Sequence, residues 1–465
     1  MEQEFDAIII GTGQSGPSLA ERFSRAGKKV AIIEQARFGG SCVNYGCTPT
    51  KTLVANAKIA HSVRNAQTYG INVSGFEIDY KAVKARKDNI SQTSSINLEK
   101  WLRSLPNCTV FQGHASFEGP HDVRVNGSLL RGEKIFIDVG ARPLIPEISG
   151  LKNIPYLTNE SLLEIDFIPS HLLILGGGYI GLEFAQIFRR FGSRVTIFQR
   201  ASFVMPKEDQ DVSQAIEDIL RKEGINIYTN VRDFEILPGS SKGNIKIQYS
   251  DNGAKKQVIG SDLLIAAGRI PNTDLLGLEK ANVKVDKHGF IVVDEKLRTS
   301  QPHIWALGDC NGKGAFTHTS YNDFEIVAAN LFDDGSRKVT DRILIYALFT
   351  DPPLGRVGMT EKEASQLPME IQVAKMPMTE VARAREKGET DGFLKIIVDA
   401  HSKQILGASF LGTEGDEVIQ MIAALMYAKA PYTVIERTVF IHPTVSELIP
   451  KLLSKLAPIA SGSFV

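Results

Sequence analysis

The sequence predicts an α/β protein with two dinucleotide-binding units and a separate C-terminal α+β domain. Three observations carry that prediction. A glycine fingerprint lies between two strands near the N-terminus, a copy of it follows 165 residues later, and the last hundred or so residues alternate as paired strands do. The chain has 465 residues, about three domains at roughly 150 residues each. Apolar residues make up 43% and charged residues 23%, which excludes a disordered chain. Lys and Arg number 53 against 53 Asp and Glu, so no basic excess points to nucleic acid as a partner. No apolar run approaches the roughly 20 residues of a membrane helix. The acidic start Met1–Asp6 has neither the charged flank nor the apolar core of a signal peptide. No membrane partner is expected, and the cytoplasm is the expected compartment.

The first unit runs from the strand Asp6–Ile10 through Gly11-Thr12-Gly13-Gln14-Ser15-Gly16 and a helical stretch to the strand Val30–Ile33, which ends at Glu34. This is the Rossmann-like βαβ grammar. Gly11 makes a tight turn, Gly13 lets backbone approach a pyrophosphate, and Gly16 allows close helix–strand packing. The helix N-terminus holds the anion, and Glu34 is placed to accept hydrogen bonds from a ribose. The second unit repeats the design with Leu172–Leu175, Gly176-Gly177-Gly178-Tyr179-Ile180-Gly181 and Val195–Phe198. Gly176, Gly178 and Gly181 each stand 165 residues after their counterparts, and Gln199 stands where Glu34 does. Two such sites suit an enzyme that binds both FAD and NAD(P)H, since each carries a pyrophosphate. In the second unit Gln199-Arg200 replaces the acid. An acid would repel a 2′-phosphate and Arg200 can pair with one, so NADPH is expected over NADH.

Strands follow at Ile225–Tyr228, Ile245–Tyr249 and Leu263–Ile265, the last leading into Ala266-Ala267-Gly268-Arg269, whose Gly268 is assigned to the coenzyme site. From about Pro271 the chain is expected to return to the first unit. The apolar strand at Ile304–Leu307 ends in Gly308-Asp309, an acid placed to take a ribityl hydroxyl. Asp391–Asp399 and Gln404–Leu411 read as paired strands, and Asp416–Ala430 as a helix with Val418, Met421, Ile422 and Leu425 on its core face. The expected division is 1–150 for the first unit, 151–270 for the second, 271–342 for the continuation of the first, and 343–465 for the C-terminal domain.

The four cysteines, Cys42, Cys47, Cys108 and Cys310, are too few for a disulfide scaffold. Cys42 and Cys47 lie in Gly39–Lys51. Zinc would want four ligands, and no second Cys/His pair is near, so no metal site is expected. Four intervening residues allow a small disulfide ring. At the start of a helix both sulfurs would feel its positive end, which lowers a thiol pKa from about 8.5 into the range of roughly 3.5 to 7.5. Near the other terminus His442 has Glu447 five residues on. A carboxylate there can orient the ring and suit it to exchange protons with a thiol.

Taken together and in order, Gly11/Gly13/Gly16, Cys42-x4-Cys47 with Lys51, the second glycine unit with Glu183, Gly308-Asp309 and His442-Pro443-Thr444-x-x-Glu447 resemble the class I pyridine nucleotide-disulfide oxidoreductases. Gly39–Lys51, Arg383–Lys395 and Val439–Leu448 are most similar to the branch of mercuric reductases and reactive-chlorine-resistance copper(II) reductases. No cysteine follows Cys310, where mercuric reductases carry a vicinal pair. Tyr45 and Thr48 stand where relatives usually carry aliphatic residues.

The resemblance implies a redox-active Cys42–Cys47 disulfide, with Cys47 against the flavin and Cys42 as the outward thiol that meets the acceptor. It implies that Lys51 lies near the flavin and pairs with Glu183, and that Tyr179 gates the nicotinamide pocket. Asp309 would bind the ribityl chain, while Thr317 and His318 would precede a helix aimed at the flavin pyrimidine. His442, oriented by Glu447, would be the acid–base partner of Cys42 and would come from a second subunit. The C-terminal domain is then a dimerisation domain, and the protein a homodimer with shared active sites. The implied acceptor is a disulfide, a thiol-reactive compound or a soft metal ion. Two alternatives stand beside this: dihydrolipoamide dehydrogenase, and a flavin-bearing redox sensor or interaction protein with little turnover.

Overall fold

Strand Glu2–Ile10 runs through the centre of a seven-stranded sheet, with Val30–Glu34 and Ser128–Ile137 parallel to it on either side. Ala7, Ile8, Ile9 and Ile10 are all buried, as a strand covered on both faces requires, and this is why the run is apolar without alternation. The computed structural model describes residues 2–239, 243–251, 253–333 and 335–459. Cys108–Gln112 extends the sheet beyond Val30–Glu34, and the short strands Asp122–Val125 and Ala115–Phe117 add an antiparallel flap. Ile304–Ala306 pairs in parallel with Ser128–Ile137, Ile304 opposite Ile135, so the chain rejoins its first sheet late in the sequence.

A second, four-stranded parallel sheet has the order Asn226–Tyr228, Arg194–Phe198, His171–Leu175, Asp262–Ile265. Helix Tyr179–Phe191 packs on it through Leu182, Phe184, Phe188 and Phe191. An antiparallel trio, Arg232–Pro238, Ile245–Asp251 and Ala254–Gly260, lies in the chain between the strands Asn226–Tyr228 and Asp262–Ile265 of this sheet. The chain leaves and re-enters through a small antiparallel pair, Ala141–Pro143 with Arg269–Pro271.

The third sheet is antiparallel and six-stranded, in the order Ile345–Leu348, Leu354–Gly358, Ile405–Leu411, Phe393–Asp399, Ile371–Pro377, Ala457–Pro458. Helix Gly415–Tyr427 packs against it. That helix stops three residues short of the span its apolar period implies, because Lys429 adopts a left-handed backbone (φ 51°) and Pro431 follows. Strand Phe393–Asp399 is buried on both faces rather than one. Leu394, Ile396 and Val398 face the helix side, while Phe393 on the opposite face joins the core of the second unit.

The two cysteines do not share a helix start. Cys42 lies in a single turn, Gly40–Asn44, and only Cys47 opens the 18-residue helix Cys47–Arg64. The junction depends on Gly46, where an added Cβ would come within 2.9 Å of the Ser41 carbonyl oxygen.

Candidate active site

The strand ends of the first sheet, the cysteine helix and the C-terminal sheet enclose a cleft of about 1120 Å³. At one end lies the first glycine loop. Gly11 has φ 107°, and a Cβ there would stand 2.1 Å from the Asp138 carbonyl oxygen. A Cβ on Gly13 would stand 2.8 Å from Asp138 Oδ2, which accepts the Gly16 N–H at 2.8 Å. Glu34 accepts from the Thr12 N–H (3.1 Å), the Thr12 hydroxyl (2.6 Å) and the Ala36 N–H (2.8 Å), tying the loop to the neighbouring strand end. Bare backbone at Gly11 and Gly13, a following helix N-terminus and a strand-end acid together fit a dinucleotide.

Asp138 escaped the sequence reading although it ends the apolar run Ile135–Ile137 as Glu34 ends Val30–Ile33. Burial pushes its carboxyl well above the usual carboxylate range. Burial also raises Asp309, which lines the cleft, and Arg269, with Nε 3.7 Å from Oδ2, pulls it back.

Further along the cleft Cys42 and Cys47 stand as free thiols. Thr317, the first residue of helix Thr317–Phe332, places its Oγ1 3.1 Å from Cys42 Sγ and 3.2 Å from Cys47 Sγ. The hydrogen bond from Cys42 holds the Cys47 thiol down at about 6, against the opposing effect of burial and with help from Thr317 and the Lys51 charge. The same bond, with burial second, pushes Cys42 above the usual thiol range. The two sulfurs are therefore unlike, where the sequence had both lowered together. Lys51 Nζ lies 2.7 Å from Glu183 Oε2 and 4.7 Å from the centre of the Phe349 ring. Glu183 is buried, and its other oxygen accepts the Phe349 N–H at 3.0 Å.

The second glycine loop repeats the first at its outer glycines but not at the middle one. Gly176 has φ 121°, and a Cβ on Gly181 would come within 2.1 Å of the Gly176 carbonyl oxygen, whereas Gly178 faces open space. Gln199 Oε1 accepts the Gly177 N–H at 3.3 Å, the part that Glu34 plays for Thr12. Arg200 is exposed beside it. Gly268 (φ 129°) lies just before the crossing pair between the units. Of this unit's expected site residues Tyr179 and Glu183 reach the cleft, while Gly176, Gly178, Gly181, Gln199, Arg200 and Gly268 do not line it. Tyr179 meets Phe316 edge-on at 5.4 Å and Tyr346 at 5.8 Å.

His318 is engaged structurally: Nε2 lies 2.7 Å from the Ile345 carbonyl oxygen, and the ring stacks on Phe316. His442 Nδ1 lies 2.9 Å from Glu447 Oε2, but the side chain is 74% exposed and outside the cleft. One chain does not bring His442 to Cys42. Among the described residues no group of three or more His, Cys, Asp or Glu could hold a metal ion.

The family model of pyridine nucleotide-disulphide oxidoreductases matches residues 5–323, and that of the same family's dimerisation domain matches 345–453. The chain belongs to this family. The probable pyridine nucleotide-disulfide oxidoreductase RclA of Escherichia coli (strain K12) is 38% identical over 460 residues, 97% of this chain and 99% of that protein. A mercuric reductase of Lysinibacillus sphaericus is 33% identical over 445 residues, 95% of this chain and 80% of that one. A dihydrolipoyl dehydrogenase of Chlamydia pneumoniae is 32% identical over 453 residues, 96% of each. The solved Cu(II) complex of the HOCl-induced flavoprotein disulfide reductase RclA from E. coli matches with a TM-score of 0.87 at 38% identity, covering 96% of this chain and 99% of that one. As a pyridine nucleotide-disulphide oxidoreductase, the protein is an enzyme that uses FAD and a nicotinamide coenzyme, and it carries the family's dimerisation domain. Among the described residues no helix is long and apolar enough to cross a membrane.

Proposed function

We propose that the protein is an NADPH-linked reductase whose Cys42 and Cys47 pass an electron pair to a disulfide, a thiol-reactive compound or a soft metal ion. The observation that carries this reading is the Thr317 hydroxyl between two sulfurs of opposite acidity. With Cys47 at about 6 and Cys42 far higher, the pair at neutral pH is one thiolate and one thiol, the state from which a dithiol can engage an acceptor. Bound FAD supplies two-electron transfer between the nicotinamide and these sulfurs. Gly11, Gly13, Gly16, Glu34 and Asp309 would hold it, Lys51 and Thr317 would meet it beside the two sulfurs, and Glu183 fixes Lys51. Cys47 would hold its negative charge on the cofactor side, and Cys42 would be the sulfur that meets the acceptor.

His442, its Nδ1 bound to Glu447, has Nε2 left to take the proton that Cys42 gives up. In a homodimer a second copy brings that ring to the site. Thiolates select soft metals, and the Cu(II) complex of RclA makes Cu(II) the first acceptor to try. Gln199 in place of an acid, with Arg200 exposed beside it, favours NADPH. The domain division 1–150, 151–270, 271–342 and 343–465 and a cytoplasmic setting belong to the same reading.

An anaerobic dithionite titration tests the core of it: about four electrons per chain are expected, two for the flavin and two for the sulfurs, and uptake of only about two would overturn it. NADPH consumption with glutathione disulfide, lipoamide, Cu(II), Hg(II) and oxygen then identifies the acceptor. NAD reduction by dihydrolipoamide would favour dihydrolipoamide dehydrogenase instead.

A further inference from the structure

A polar row crosses the C-terminal sheet. Tyr346 pairs with Arg356 across adjacent strands, Arg356 with Ser409, Ser409 with Lys395, and Lys395 with Lys375. Directly opposed residues share a face, so all five point the same way. They point at acids from the segment after the second glycine unit. Lys395 Nζ lies 3.0 Å from Asp209 and 2.8 Å from Asp211, Lys375 Nζ 2.8 Å from Asp211, and Arg356 Nε 3.8 Å from Glu208 Oε2.

At the cleft end of the row, the Tyr346 hydroxyl donates to Glu208 Oε1. The Tyr346 ring lies parallel to Phe316 at 5.4 Å and edge-on to Tyr179 at 5.8 Å, and all three rings line the cleft. This end is a poor stabiliser. Glu208 and Arg356 are almost wholly buried, yet Glu208 Oε2 and Arg356 Nε and Nη2 find no hydrogen-bond partner. Apolar residues of similar volume would often hold such a position as well or better, so the pair's value lies in orientation.

We propose that Glu208, with Arg356 behind it, is a positioning residue for coenzyme access: it fixes the ring of Tyr346, and Tyr346 sets the ring of Tyr179 at the nicotinamide side of the cleft. This rests on the reading of Tyr179 as the residue that meets the nicotinamide. Tyr346→Phe deletes only the hydroxyl, and Glu208→Gln keeps the shape while removing the charge. The measurement is anaerobic rapid-mixing reduction of the holoenzyme flavin by a concentration series of NADPH, with dithionite reduction and thermal melting alongside.

Both variants should raise the NADPH concentration for half-maximal rate about tenfold, with a smaller effect on the limiting rate and none on dithionite reduction. Tyr179→Ala/Tyr346→Phe should bind NADPH no worse than Tyr179→Ala alone, because Tyr346 acts through Tyr179. If Tyr179→Ala weakens NADPH but Tyr346→Phe and Glu208→Gln do not, the proposal fails and the reading of Tyr179 stands. A Tyr179→Ala enzyme that binds NADPH normally would sink that reading and the proposal with it. A lowered melting temperature with unchanged NADPH dependence in both single variants would reduce the row to a structural role and overturn the proposal.

Discussion

Cys47 is held near 6 mainly because Cys42 donates a hydrogen bond to it, and only then because Thr317 and Lys51 favour its charge. The sign of the pH dependence follows. A lowered pKa means the reactive form dominates above about 6 and is lost as pH falls through that value. Alkylation of the reduced enzyme at Cys47 should therefore be nearly flat from neutral pH upward and fall on acidification. Cys42→Ala removes the largest favourable contribution while burial still opposes the charge. Its alkylation midpoint should move to about 8.5 or beyond, cutting the rate at neutral pH by more than about tenfold. A midpoint still near 6, read from iodoacetamide kinetics against pH, would show that the helix N-terminus rather than the neighbouring thiol sets the acidity. The sequence pattern singled out these two cysteines as a candidate reactive pair but treated them as equals. What separates them is the hydrogen bond between the two sulfurs, which raises Cys42 and lowers Cys47, together with the break at Gly46, and neither is exposed by a local pattern.

The parallel strands were legible as elements because burial on both faces leaves an uninterrupted apolar run, and the glycine loops were legible because a side chain cannot fit there. Less visible was the partner that makes the first loop rigid. Asp138 directly follows a strand more than a hundred residues away, and the same carboxyl both receives the Gly16 N–H and occupies the space beside Gly13. The polar row of the C-terminal sheet was invisible for a similar reason, since only strand register puts Tyr346, Arg356 and Lys395 on one face. In Gly13→Ala the new methyl meets a buried carboxyl that is pinned by a backbone N–H and cannot swing away freely. Stability should fall by about 1–3 kcal/mol, and flavin should be lost on gel filtration. Full flavin content with an unchanged melting temperature would mean that the carboxyl gives way and that the cradle is soft.

At the scale of the whole molecule, one chain leaves His442 outside the cleft. His442 is oriented by Glu447 yet stands in the open, flanked by Ile441 at 80% and Val439 at 96% exposure. Large apolar side chains so exposed beside an oriented imidazole suit a surface that another chain covers, and they lie in the family's dimerisation domain. If that second copy brings the ring to Cys42, two dead variants can repair each other. Cys42→Ser lacks the sulfur, and His442→Ala lacks the proton carrier. Unfolding and refolding an equal mixture should make about half the dimers mixed, each with one intact sulfur facing one intact histidine, and so restore about a quarter of wild-type turnover. Were the histidine to act within its own chain, every site in the mixture would lack one group or the other. Turnover no greater than that of the separate variants, with mixed dimers verified by a size tag on one chain, would rule out a shared site.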